Sequence, residues 1–290
     1  MVLLLGATGY VGKAFQRALG QRGISFYGPV RGQRDYGIPW VLGQLLDEIQ
    51  PTLVICAAGF TGIPNVEAAE RQKIRCLEAN LAFPVRLSEA CAARGIPLGH
   101  VSSGCIYSGC KKEGQGWCES DLPNFDFRHN NSSFYSGCKA LAEEMLRLKE
   151  QVWIWRLRRP FNGDAEPRNY LSKIMGYPCH LESENSISQI DEFTAGCLDL
   201  AMNRAPFGIY NMTNPGVVRT SELTALLVRA GLIAGPVRFF ADSQEFVSVA
   251  GRTPRSECVL DSSKALAQGV RFTEIHEALE RSVRERRTGS

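Results

Sequence analysis

The chain has 290 residues, 44% of them hydrophobic, and a formal net charge of +3. Length and apolar content suffice for a full core, either one large domain or a domain with a smaller companion. The near-balanced charge gives no electrostatic case for nucleic acid or an anionic membrane as the main partner, though it leaves room for a local basic pocket that takes a phosphorylated ligand.

The apolar opening Met1–Leu5 stops at Gly6. It is too short for a signal peptide or a membrane span, so it reads as a buried strand of a cytoplasmic protein. Tyr10–Leu19 has helical periodicity, Ile24–Tyr27 reads as a second strand, and Val41–Ile49 as a helix before the strand Thr52–Cys56. Val66–Ala92 reads as one long helix, followed by the strand Leu98–Ser102. Phe134–Leu148 is helical and Val152–Leu157 is a strand. This alternation predicts an α/β fold, a Rossmann-type doubly wound parallel sheet. Residues 107–131 break the rhythm with glycine and polar residues, and a loop of that length is usually functional. Beyond Pro160 the pattern is less regular. Glu222–Ala230 and Thr273–Arg284 read as helices, and the tail Glu285–Ser290 as frayed. The expected division is a dinucleotide-binding domain over 1–160 that regains the chain at about 189–212, and a smaller C-terminal substrate domain from 161–188 and 213–290. Ten cysteines are scattered without a CxxC pair or Cys/His cluster, which predicts free thiols and no metal site.

Gly6-Ala7-Thr8-Gly9-Tyr10-Val11-Gly12 joins the first strand to the first helix. The glycines Gly6, Gly9 and Gly12 permit a tight turn and a close backbone approach, so that helix N–H groups, with Thr8, Tyr10 and Val11 beside them, can meet a pyrophosphate. An NAD site usually carries an acid after the second strand. Ile24–Gly32 holds no acid but does hold Arg31, whose guanidinium suits a 2′-phosphate. NADPH is therefore the expected cofactor, with NADH as the competitor.

Tyr135-Ser136-Gly137-Cys138-Lys139 is a Y-x-x-x-K motif on a predicted helix, where positions i and i+4 share a face. An ammonium beside a phenol favours the phenolate, and such a pair can pass a proton to or from a substrate oxygen while hydride moves from a nicotinamide. Ser102-Ser103 ends the fourth strand, where the Ser103 hydroxyl could bond the same carbonyl.

Together these residues resemble the extended short-chain dehydrogenases/reductases, within them the dTDP-4-dehydrorhamnose reductase group, and more closely the plant-type UDP-4-keto-6-deoxyglucose 3,5-epimerase/4-reductases. The likeness covers almost the whole chain. It includes Ala57–Val66, Gly104-Cys105-Ile106, Ser133–Ser136, Pro167-Arg168-Asn169, Asn211–Val218 and Pro254-Arg255-Ser256. It implies a sugar-nucleotide substrate, UDP- or dTDP-linked, and leaves a homodimer open. It also implies a catalytic set of Ser103, Tyr135 and Lys139, with Cys105 and Lys173 moving protons at carbons 3 and 5 of the sugar. By the same likeness Ala57, Ala58 and Gly59 line the cofactor, Asn80 supports the site, and the neighbourhoods of Thr61, Asn65, Arg168, Asn169 and Arg255 meet the substrate. The first glycine motif and the loop Cys110–Asn131 depart from the plant-type pattern.

Two other readings compete. A sugar-nucleotide 4,6-dehydratase would need an acid pair after the strand-end hydroxyl, where this chain has Gly104 and Cys105. A non-catalytic cofactor-binding subunit would be expected to lack the Tyr/Lys pair.

Overall fold

The computed structural model describes residues 1–62, 67–129, 132–251 and 253–288. Strands β1 (Val2–Leu5), β2 (Phe26–Tyr27), β3 (Leu53–Cys56), β4 (Leu98–Ser103), β5 (Val152–Leu157) and β7 (Gly208–Asn211) form one sheet in the order β2-β1-β3-β4-β5-β7. Every pairing in it is parallel. β6 (Glu184–Asn185) and β8 (Val218–Arg219) make a separate antiparallel pair. The central strands are buried on both faces, which explains runs such as Val-Leu-Leu-Leu with no polar alternation. Helices α1 (Tyr10–Gln21) and α8 (Ile190–Met202) cover one face around Phe15, Trp155 and Phe193. Helices α2 (Pro39–Ile49) and α5 (Phe83–Ala92) cover the other around Leu42, Leu45, Leu87 and Ile154.

The expected long helix Val66–Ala92 is divided. Its described part runs as α3 (Glu67–Arg71), α4 (Lys73–Leu77), a π-helical turn at Glu78–Ala82, and α5. Pro84 has no N–H to return to the preceding turn, which suits a widened turn just before it, and such turns frequently mark functional sites.

Helix α6 (Phe134–Leu146) is capped by Ser133, whose side chain accepts from the Ser136 N–H. It is fixed to the sheet by a buried network. Ser102 Oγ donates to Glu143 Oε1 at 2.5 Å, and the Glu143 carboxylate pairs with Arg156 at 2.8 Å. Arg156 also packs over the Tyr107 ring and donates to Asn211 Oδ1. Because strand residues alternate faces, Ser102 turns to Glu143 while Ser103 turns away from it.

A third core gathers Phe161, Leu171, Ile187, Val218, Leu223, Ile275 and Leu279. It involves α7 (Tyr170–Met175), α9 (Thr220–Arg229) and α12 (Ile275–Thr288), while α10 (Ser243–Val249) and α11 (Ser263–Ala267) complete the helices. The tail is more ordered than expected: α12 runs to Thr288, and Arg286 donates to Asp164 O and Ser172 Oγ, which anchors the last turn. Thr273 lies outside that helix because its N–H and hydroxyl are both taken by Glu192. Among the described residues no helix is long and apolar enough to cross a membrane, and no His/Cys/Asp/Glu group could hold a metal ion.

Candidate active site

The sheet order reverses between β1 and β3, and open α/β sheets bind ligands outside the strand ends at such a point. Gly6 sits there with φ +81°, and a Cβ on it would lie 2.5 Å from the Ala58 nitrogen. A Cβ on Gly12 would lie 2.1 Å from the Gly6 carbonyl oxygen. Both positions therefore require glycine, and the result is a turn pressed against the end of β3. Thr8 and Gly9 remain exposed at its crest and Val11 is half-buried. The free N–H groups of the first turn of α1 make this crest an anion cradle. One support escaped the sequence reading. The buried Tyr36 hydroxyl accepts the Gly6 N–H at 3.2 Å, and no motif marks it. Tyr10 differs from expectation: its buried hydroxyl donates to Asn162 Oδ1 at 3.0 Å, so its side chain ties α1 to the segment that follows β5 instead of pointing at the crest.

Ala57, Ala58 and Gly59 follow β3 on the opposite wall. Asn80, on the π-helical turn, holds that wall. Its Oδ1 accepts the Phe60 N–H at 3.2 Å, and its Nδ2 donates to Phe60 O at 2.7 Å and Cys76 O at 3.0 Å. A Cβ on Gly59 would lie 3.1 Å from Asn80 Oδ1 and 3.9 Å from Lys139 Nζ.

At the end of β4, Ser103 Oγ accepts the Cys105 N–H at 3.2 Å and is hydrogen-bonded to the Tyr135 hydroxyl. Lys139, one turn beyond Tyr135, donates to Val101 O at 3.1 Å. The expectation that Lys139 would favour the phenolate is corrected here. Burial pushes the Tyr135 phenol up, the nearby Cys105 adds to this, and the Ser103 hydrogen bond opposes it only in part. Burial also holds the Lys139 ammonium below the usual lysine range.

Cys105 faces a buried cation that sequence reasoning missed. Arg158 Nη1 donates to Cys105 Sγ at 3.3 Å and to Ser256 Oγ at 3.1 Å, and its Nη2 reaches Ser256 O and Asn185 Oδ1. Only its place immediately after β5 could have flagged it. Lys173, on α7, is held low first by burial and then by Arg168, with Arg159 and Arg255 adding and Cys105 opposing. Cys105 thus lies within electrostatic reach of both Tyr135 and Lys173. Arg168 reaches across the chain, donating to Thr61 Oγ1 at 3.0 Å and Gly62 O at 2.8 Å. Arg255 pairs with Glu67 at 2.8 Å, yet its buried Nη1 has no partner among the described residues. Asn169 has a different job from substrate contact. It is fully buried, caps α7 through the Leu171 N–H, and spends its amide on Asn162 and Asp164. Asn65 lies outside the described residues.

Glycine cradle, Tyr/Lys pair and the Lys173 neighbourhood with Arg159, Arg168 and Arg255 are spread over the whole chain, and a family model spans it likewise: the RmlD substrate binding domain matches residues 1–288. The chain belongs to this family. It is 33% identical over 285 residues to a bifunctional dTDP-4-dehydrorhamnose 3,5-epimerase/dTDP-4-dehydrorhamnose reductase of Arabidopsis thaliana, covering 96% of this chain and 90% of that protein. It is 32% identical over 286 residues to a trifunctional UDP-glucose 4,6-dehydratase/UDP-4-keto-6-deoxy-D-glucose 3,5-epimerase/UDP-4-keto-L-rhamnose-reductase of the same plant, covering 96% of this chain but 40% of that protein. Among solved structures, a UDP-rhamnose synthase from Acanthamoeba polyphaga mimivirus superposes with a TM-score of 0.89 at 23% identity, covering 98% of both chains. A dTDP-4-dehydrorhamnose reductase from Bacillus anthracis, solved with NADP, superposes at 0.82 with 16% identity, covering 100% of this chain and 99% of that one. These two likenesses establish the family's fold for the chain.

Proposed function

We propose that the chain reduces a nucleotide-linked 4-keto-6-deoxyhexose with NADPH, after 3,5-epimerisation at the same site. The observation that carries this reading is that Ser103, Cys105 and Tyr135 meet at the end of β4, with Lys173 of α7 within electrostatic reach of Cys105. The bifunctional activity of the plant relative, which shares nearly the whole chain, supports it. The second body, 161–188 with 213–290, is read as the substrate side.

The residues present fit a dinucleotide. Gly6 and Gly12 admit no side chain, the first turn of α1 offers free N–H groups, and Lys139 makes one hydrogen bond among the described residues with three protons to donate. When bound, a nicotinamide supplies the hydride. The chain's own residues do the rest. Ser103 and Tyr135 offer hydroxyls to one carbonyl oxygen, and Tyr135 gives up the proton that reduction consumes. A phenol held above its ordinary range stays protonated at neutral pH, which is the form a proton donor needs. Arg159, Arg168, Lys173 and Arg255 make the far wall cationic, suited to a diphosphate that guanidinium groups grip through paired oxygens. The direct test is NADPH absorbance with UDP- and dTDP-4-keto-6-deoxyglucose side by side. Turnover of one or both supports the reading, and turnover of neither removes it.

Cofactor choice follows from the edge of the crest. Arg31 pairs with Asp35 at 2.9 Å, and the pair is about half exposed, at 56% and 48%. An exposed pair contributes about 0–1 kcal/mol, so a 2′-phosphate can take over the guanidinium at little cost. NADPH is expected to bind more tightly than NADH, and Arg31→Ala to narrow the gap. Fluorescence titrations of both nucleotides check this. A native preference for NADH would hand the role to Asp35, which lies beyond the Ile24–Gly32 window.

A further inference from the structure

His100 lies in the middle of β4, paired in register with Cys56 on β3 and Ile154 on β5. It is fully buried. Neither ring nitrogen has a hydrogen-bond partner among the described residues. A buried polar ring without partners is costly, and a native protein normally satisfies it, often through an ordered water. The neighbouring residue on the strand is Val101, whose carbonyl receives the Lys139 ammonium. The charge of Lys139 is felt at His100, and burial holds the imidazole neutral. A neutral imidazole offers one lone pair and one N–H, so it can accept a hydrogen bond from a water that itself accepts one from an ammonium.

We propose that a buried water joins Lys139 Nζ to the His100 ring, and that His100 is thereby a positioning residue that keeps Lys139 charged beneath Tyr135. The other groups facing Lys139 do not supply that support equally. Cys56 on β3 and Cys138 on α6 are thiols held above their ordinary range, Cys76 on α4 is hydrogen-bonded to Asn80 and Cys138, and Glu143 is committed to Arg156 and Ser102. An ammonium in a buried pocket must be solvated by something. His100, next to Val101 on β4, has a buried ring nitrogen with no partner among the described residues and lies within the field of Lys139.

The inference rests on the reductase reading, so its test carries a readout that needs no substrate. Lysine amines labelled with ¹⁵N would be titrated by NMR in the free protein, alongside the pH profile of turnover. His100→Leu, or His100→Phe where leucine does not fold, removes the acceptor. It should move the Lys139 midpoint down by about one pH unit and lower kcat about tenfold, with KM changed less than about twofold. His100→Gln keeps a neutral donor and acceptor and should keep both values close to native. An unmoved Lys139 midpoint in the apolar variant overturns the proposal. So does a glutamine variant displaced as far as leucine, since that would make ring shape the cause. If the native protein turns over no keto sugar while the midpoint still moves, the reductase reading falls and the water link stands.

Discussion

Replacing Tyr135 by Phe is expected to lower turnover of the 4-keto substrate by a factor on the order of 10² or more, with little change in cofactor affinity. The ring is kept, so the packing of Tyr135 with Phe60, Phe134 and Cys138 survives. What disappears is the phenol proton, carried on a hydroxyl that lies beside Ser103 at the strand end. Stopped-flow reduction compared with NADPH titration separates the two quantities. Near-native turnover would take Tyr135 out of the mechanism and leave Ser103 as the donor. The sign of the pH dependence follows from the raised phenol. The donor form is full at neutral pH and is lost only as pH rises through its folded value, so the rate should fall on the alkaline side.

Much of this site was legible because its signals are local. Gly6 and Gly12 announce a turn that must approach another backbone, and the clash distances with Ala58 and with the Gly6 carbonyl give the same requirement in space. Tyr135 and Lys139 are four residues apart on a helix capped by Ser133, so their shared face follows from spacing alone. Sequence is weaker where a role depends on a distant partner. Arg158 meets Cys105 across 53 positions, and Tyr36 meets Gly6 across 30; nothing near either residue marks the contact. Asn169 shows the converse error. It stands in a segment that carries the family likeness, yet its amide is fully used in capping α7. The fold followed the same division. The strands of the parallel sheet read as apolar runs, whereas α8 went unread because Gln189 is an unusual cap and its helix is apolar on several faces. Spacing shows the Lys139 neighbour of the phenol but not its burial, and at Tyr135 burial is the largest effect.

Loss of epimerisation is the second large expected effect. A 4-keto group acidifies the protons on carbons 3 and 5. Inverting either centre takes one group to remove the proton, leaving an enolate, and another to return a proton on the opposite face. On the proposed reading the two proton carriers are Cys105 and Lys173, which come from different elements, one beside β4 and one on α7. Burial and the neighbouring Arg168 hold Lys173 below the usual lysine range, so a larger share of it is the neutral amine that can accept a proton. Arg158 holds the Cys105 sulfur at 3.3 Å from a fixed cation and so fixes where that thiol points. With NADPH omitted, the native protein in deuterated water should exchange both positions of the 4-keto sugar, followed by NMR. Cys105→Ala and Lys173→Ala should not exchange them, yet both should still reduce a substrate supplied already epimerised. That second arm separates lost proton transfer from a damaged fold, because the proposed reading assigns reduction to Ser103, Tyr135 and Lys139, which neither substitution removes. If exchange persists in one variant, its residue is not a proton carrier and the search moves to the neighbouring hydroxyls. If the native protein exchanges neither position but still reduces the epimerised sugar, the site is a plain 4-reductase. The cationic wall then serves diphosphate binding alone, and a separate epimerase must act before it.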